Sequence, residues 1–399
     1  MTSYTFLVVL AIILLSTKVL GLASGKVKMP QVVGALVAGL ILGPSVLNLV
    51  VEDNFVAVIG EIGVIMLMFS AGLETDLQEL KKTGVASFII AVVGVIVPLI
   101  GGAGLYLAFF NGEGDAQHML KAIFVGVILT ATSVSITVET LRELGKLKGK
   151  VGTAILGAAV IDDILGIIVL TIVSSFTDPD VQVGVVLLKI LGFFLFIAVV
   201  GFFVYKYFKH LGTSFAAKMH RRVAIYALAF CFLMSYCAEH FFGVADITGS
   251  YFSGLLLCNL SNVRDYVARK IDICSYMLFA PVFFAGVGIK TNLAGLTPHL
   301  LVFAVLLLVI AILSKIVGCS LGAKACKFTN YESLCVGVGM ISRGEVALIV
   351  AQKGAAAGLV SDTLFAPVIL VVIVTTLITP ILLKLVMGDK PTDNPVATA

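Results

Sequence analysis

Two carboxylates stand side by side in Ile161-Asp162-Asp163-Ile164, inside an apolar stretch from Val151 to Val173 that holds no cation. A charged carboxylate at the centre of a membrane helix costs roughly 2.5–3.5 kcal/mol even on lenient insertion scales, so two together require partners or bound ions. Carboxylates in that setting hold hard cations or carry protons, and the pair is expected to form an ion or proton site. A polar pair that only fixes helix packing is the competing reading, and the cost of two such groups weighs against it.

The membrane assignment rests on composition: 60% of the 399 residues are hydrophobic and 13% charged, with mean hydropathy +1.13. A hydrocarbon layer about 30 Å thick needs roughly 20 helical residues per crossing. Thirteen such segments follow one another, with cores near 4–23, 30–49, 55–73, 84–110, 118–138, 151–176, 182–205, 222–242, 244–260, 272–289, 300–323, 332–352 and 363–387. The connectors after odd segments 1 to 11, with the tail, hold 20 of the 27 Lys and Arg, and the opposite loops hold three. Basic residues collect on the cytoplasmic side, so this asymmetry predicts an N-terminus outside and a C-terminus inside.

Other classes fit poorly. The first segment has no preceding basic residue, while Lys18, Lys26 and Lys28 lie late in it or after it, which favours an uncleaved helix over a signal peptide. The seven cysteines lie mostly in apolar spans without a CxxC pair and read as packing residues. The basic balance sits in short loops beside the lipid bilayer, so no nucleic acid partner is expected. Neither GxGxxG nor a Walker A pattern occurs, and no cofactor is called for. Gly112-Glu-Gly114-Asp115 matches the GxGD of intramembrane aspartyl proteases, but it falls in a short polar outer loop and not on a helix facing Asp163, so no enzyme is expected.

Internal matches carry more information. Gly34-Ala-Leu-Val-Ala38-Gly39-Leu40-Ile-Leu42 resembles Gly249-Ser-Tyr-Phe-Ser253-Gly254-Leu255-Leu-Leu257, and Gly72-Leu-Glu-Thr75-Asp-Leu77 matches Gly288-Ile-Lys-Thr291-Asn-Leu293, at offsets of 215 and 216. Two matches in the same order pair segments 2 with 9 and 3 with 10. Partners seven helices apart have opposite orientations, the inverted repeat of secondary transporters. The predicted fold is therefore an all-α polytopic membrane protein of 13 transmembrane helices, two inverted-topology six-helix repeats joined by a linker helix.

In that register segment 5 pairs with 12. Segment 5 carries Thr130-Ala-Thr132-Ser133-Val-Ser135-Ile-Thr137, and segment 12 carries Gly337-Val-Gly339-Met-Ile-Ser342-Arg343-Gly344-Glu345. Hydroxyl side chains compete for backbone groups and glycines weaken a helix, so both segments are expected to be discontinuous and to cross near the midplane. Opened carbonyls and half-helix dipoles there can coordinate a cation.

Thr130-Ala-Thr-Ser-Val-Ser-Ile-Thr-Val, Ala159-Val-Ile-Asp-Asp-Ile-Leu-Gly166, Gly39-Leu-Ile-Leu-Gly-Pro44 and Ser342-Arg-Gly-Glu-Val346 resemble motifs of the bacterial monovalent cation:proton antiporter superfamily, particularly its NapA-like sodium/proton branch. The resemblance covers essentially the whole chain. It implies a homodimer in which core helices, residues 84–181 and 300–388, move against dimerisation helices, residues 1–83 and 222–299. The linker spans 182–221 and a short cytoplasmic tail 389–399. It also implies that Asp163 binds the ion and that Asp162 pairs with Lys315. Kef-type potassium relatives usually carry Gln-Asp and a cytosolic nucleotide-binding domain, features not found in this sequence.

Helix geometry supports that division, because neighbouring residues point about 100° apart and only one of the two aspartates can line a given cavity. Lys315 is the lysine near a span centre with apolar flanks on both sides, the natural partner. At Asp163, Na+ and H+ compete for one carboxylate, which suffices for coupled exchange. The expectation is a sodium/proton antiporter working by alternating access, electrogenic with two protons per Na+, and accepting Na+ or Li+. The alternatives are a Kef-like K+/H+ antiporter and a Na+-coupled organic-anion symporter. Thr130, Thr132 and Ser133 are candidate ligands through hydroxyl or carbonyl oxygen. Arg343 and Glu345, two apart, are expected to support the crossing through separate interhelical pairs. Glu61, Glu74, Lys189, Glu239 and Asp246 lie near span ends and read as structural.

Overall fold

A computed structural model describes residues 4–26, 29–51, 53–110, 117–176, 182–214, 220–290, 297–356, 358–360 and 362–388. The Gly112–Asp115 sequence, the Thr291–Leu293 match and the tail 389–399 lie outside these residues, as does the side chain of Glu345. The described residues form helices only: α1 Thr5–Lys26, α2 Gln31–Leu42, α3 Asn54–Glu74, α4 Leu77–Phe109, α5 His118–Thr130, α6 Val134–Glu143, α7 Lys150–Ser174 and α8 Val183–Ser214. There follow α9 His220–Phe242, α10 Asp246–Leu257, α11 Ser261–Cys274, a π turn Ser275–Phe279, α12 Ala280–Ile289, α13 Pro298–Ala325, α14 Asn330–Gly339, α15 Glu345–Ala356 and α16 Asp362–Met387.

Ten helical stretches among the described residues are long and apolar enough to cross a membrane, the α5–α6 pair counting as one. The other expected segments differ from regular spans. α2 and α10 have 12 residues each, about 18 Å of helix, well short of the hydrocarbon layer. Hydropathy extended them because apolar but non-helical chain such as Val46–Val51 adjoins α2. The connector expected before segment 10 is also helical: α11 runs through the π turn into α12, with Val267 and Ile271 buried beneath its charged face. Arg264, Asp265, Arg269, Lys270 and Asp272 mask this helix from a hydropathy reading.

The helices pack in two groups. α4 contacts α5, α7 and α13, and α13 contacts α14 and α16; α2 lies against α1 and α12, and α3 against α10 and α12. α8 touches α7 of one group and α9 and α10 of the other. Large apolar side chains such as Leu188, Leu191 and Phe202 of α8 are exposed, as a lipid-facing helix requires.

Four glycines from the internal matches make the close contacts of the second group. A Cβ on Gly39 would strike the Ala285 carbonyl of α12, and one on Gly288 the Leu36 carbonyl of α2. Likewise Gly254 meets the Phe69 carbonyl of α3 and Gly72 the Tyr251 carbonyl of α10. The α2–α12 contact is thus made of the same matched residues as the α10–α3 contact. Small residues let membrane helices approach this closely, and backbone cannot yield as a side-chain tip does. Gly254→Val is expected to cost about 3 kcal/mol or more, read as a lower thermal unfolding midpoint in detergent, whereas the same change at Gly104, where a Cβ meets nothing, leaves it unchanged.

Candidate functional site

α5 stops at Thr130 and its continuation α6 starts at Val134; α14 stops at Gly339 and α15 starts at Glu345. The two breaks touch. Ser133 N–H donates to the Ser342 carbonyl at 2.7 Å, and the Thr137 hydroxyl donates to the Gly339 carbonyl at 2.8 Å. Gly344 permits the approach, because a Cβ there would press on the Ser133 side chain.

α7 brings Asp162 and Asp163 to this crossing, both buried. Lys315 of α13, fully buried, donates to Asp162 Oδ1 at 3.0 Å and Oδ2 at 3.2 Å. Its ammonium also donates to the carbonyls of Thr130 and Gly94, each at 2.9 Å. Both carbonyls are available for reasons written in the chain. Thr130 ends a half-helix, so its carbonyl has no partner within the helix. Gly94 lies four residues before Pro98 of α4, which has no N–H to offer it. Three acceptor groups match the three hydrogens of an ammonium.

Arg343 is also buried, and it too serves carbonyls: those of Leu129 at 2.7 Å and Ala311 at 3.1 Å, together with Ile341. Its expected interhelical pair is therefore made with backbone oxygens. Two cations thus meet the carboxyl end of α5, where the helix dipole favours positive charge. With both aspartates ionised, Asp162, Asp163, Lys315 and Arg343 sum to zero charge, so this low-dielectric region need not hold an excess of either sign.

The candidate ligands separate. The Thr130 hydroxyl bonds back to the Val127 carbonyl at 2.8 Å and its carbonyl serves Lys315, so both oxygens are engaged in this conformation. Ser133 Oγ lies 3.3 Å from Ser135 Oγ. Thr132 Oγ1 is buried within electrostatic reach of Asp162, yet makes no hydrogen bond of good geometry among the described residues. Ser342 Oγ is equally buried and lacks a partner among the described residues. A buried hydroxyl left unsatisfied costs about 1–3 kcal/mol, which makes these two the oxygens best placed to gain from a cation or water. Ser342 was missing from the sequence-derived ligands, although it lies in the motif that breaks segment 12.

A second feature escaped sequence reading. Glu61 of α3, Glu239 of α9 and Asp246 of α10, each expected to be merely structural, bring carboxylate oxygens within 4.8 Å of one another. They border a cavity of about 320 Å³ that Lys290 and Val346, Leu348 and Ile349 of α15 also line. Their separation along the chain hides this grouping.

The profile of the transmembrane sodium/hydrogen exchanger family matches residues 9–387. The chain is 38% identical over 394 residues to the Na(+)/H(+)-K(+) antiporter GerN of Bacillus cereus, covering 97% of each chain. It is 37% identical over 385 residues to the Na(+)/H(+) antiporter of Enterococcus hirae, covering 95% of this chain and 97% of that one. The structure of the sodium proton antiporter MjNhaP1 from Methanocaldococcus jannaschii has a similar fold, with TM-score 0.70, 19% identity and 95% of both chains covered.

Proposed function

The chain belongs to the transmembrane sodium/hydrogen exchanger family and exchanges Na+ for H+ across the membrane, and we propose that it does so by alternating access at Asp163. The observation that carries this reading is a buried aspartate adjacent to an aspartate already held by Lys315, at a crossing of two broken helices. Asp163 takes Na+ or H+ in turn. Thr132 and Ser342 offer hydroxyl oxygens to the cation, a hard ion that prefers such ligands. Li+ fits the same donor set.

The thirteen-crossing inverted repeat belongs to this proposal, with α2 and α10 as short crossings and the two broken pairs as one crossing each. The matched glycine contacts support it. The packing groups support core helices within 84–181 and 300–388 that move against helices within 1–83 and 222–299, the latter joining two copies in a homodimer. The distribution of basic loops supports an outer N-terminus and a cytoplasmic C-terminus in the plasma membrane.

Two protons per Na+ is the stoichiometry proposed. One proton and one Na+ add the same charge at Asp163, so exchange there alone is electroneutral; the second proton in this proposal comes from another group, and the Asp162–Lys315 pair is the one beside the site. Two protons per Na+ move one net charge per cycle. A potential of 100 mV then shifts the equilibrium Na+ gradient about 50-fold, since one charge across it is worth about 2.3 kcal/mol. Transport by wild-type protein in liposomes that ignores an imposed potential would reject two protons while leaving exchange intact; Lys315→Gln is expected to remove the voltage response.

The functional test is a Na+ pulse to acid-loaded proteoliposomes, which should drive protons outward with no organic solute present. A requirement for such a solute would instead favour a symporter. A second reading, that K+ is also carried, draws on the Bacillus cereus relative, whose name includes K+. Proton efflux driven equally by K+ would support it.

A further inference from the structure

α2 begins without a cap of its own. It follows Pro30, which makes no side-chain capping bond, and its first turn holds no acidic residue. A carboxylate more than a hundred residues away takes its place: Gln31 N–H donates to Glu143 Oε2 at 2.6 Å, and Val32 N–H donates to Oε1 at 3.1 Å. Two charge-assisted bonds at the positive end of a helix dipole form a directional contact. Glu143 is the last residue of α6, so the contact ties the group of broken helices to the group of α2, α3 and α12. The adjacent Arg142 approaches Glu74 at the end of α3, Nε to Oε1 at 3.6 Å, and Lys148 stands 3.9 Å from the other oxygen. Both contacts lie on the face of the basic connectors. Glu143 also lines a cavity of about 370 Å³ between α1, α2, α12 and α6.

Resting on the proposed movement of one group against the other, we propose that Glu143 is a positioning residue: it clasps the amino end of α2, holds the two domains together on the basic-loop side, and lets go once in every transport cycle. The missing local cap is what makes the contact serve this purpose. A helix with its own Ser or Asp cap would gain little from a distant carboxylate. α2 satisfies these two N–H groups through the other domain, and when α6 withdraws, water in the adjoining cavity takes over. The Arg142–Glu74 pair is partly exposed and looser, and it guides α6 back into register more than it holds it there.

Cysteines placed at both ends (Gln31→Cys with Glu143→Cys), in a chain whose seven native cysteines are replaced, can be bridged by a short bifunctional thiol reagent that a reductant cleaves. Bridging is expected to lower Na+-driven proton flux about tenfold or more relative to the same chain untreated, because it freezes a required domain movement, with recovery on reduction and no change on adding the reagent to either single-cysteine chain. Bridged protein that exchanges at the untreated rate overturns the clasp. Absence of exchange in untreated and wild-type protein alike would instead reject the functional reading. The clasp is then judged without transport, by hydrogen exchange on wild type and Glu143→Ala. The amides of Gln31 and Val32 should exchange about tenfold faster in the variant while those of α3 do not change, and equal rates at Gln31 and Val32 overturn the proposal.

Discussion

Asp163→Asn is expected to reduce Na+-driven proton efflux to the level of empty liposomes, a loss of at least ~100-fold, because a cation left in a buried site without its countercharge costs several kcal/mol. The substitution keeps the size and shape of the side chain and removes only its charge and its capacity to take up a proton. It does not touch the Lys315 ammonium, whose carboxylate partner is Asp162. The folded protein should therefore persist with a thermal midpoint close to that of wild type, and that combination of intact fold and lost flux separates an ion-carrying residue from a packing residue. Persistent Na+-driven flux in the variant would move the site elsewhere.

Lys315→Ala is expected to have the largest effect on stability. The substitution leaves Asp162 buried without its cation and withdraws a donor from the carbonyls of Gly94 and Thr130. Breaking a buried pair on one side costs about 3–5 kcal/mol, seen as a large fall in thermal midpoint or as failure to purify. Replacing both partners, Asp162→Asn with Lys315→Ala, removes the uncompensated charge and should recover much of the loss. If the double variant is as unstable as the single one, the carbonyl contacts of Lys315 matter more than its ion pair. Two-sided replacement tests this directly, because a double-mutant cycle isolates the coupling between neighbours.

The parts of this site that could be read from the sequence are those whose cause is local. Hydroxyl-rich Thr130–Thr137 and glycine-rich Gly337–Gly344 are poor at sustaining regular helices, and the breaks fall within them. Lys315 stood out as a cation with apolar flanks, for which a buried carboxylate is the natural partner. Its remaining acceptors were not legible. Pro98 frees the Gly94 carbonyl by a local rule, but which cation uses that carbonyl depends on how α4 meets α13. The partners of Arg343 were not legible for a related reason: the residue reads as a support of the crossing, but which carbonyls it serves, those of Leu129, Ala311 and Ile341, depends on how α5, α13 and the broken segment meet. Glu143 and the Glu61, Glu239 and Asp246 group depend wholly on tertiary placement, since nothing near each residue marks it. α2 and α10 read as full spans because hydropathy registers apolar chain whether or not it is helical.

Competition between Na+ and H+ at Asp163 is the centre of this account, and proton release on Na+ binding measures it most directly. Na+ added to weakly buffered, purified protein, with bound Na+ and released protons followed together, should liberate protons in proportion to the Na+ bound by wild type and none with Asp163→Asn. Na+ binding that releases no proton, or release that persists undiminished in the variant, would contradict it.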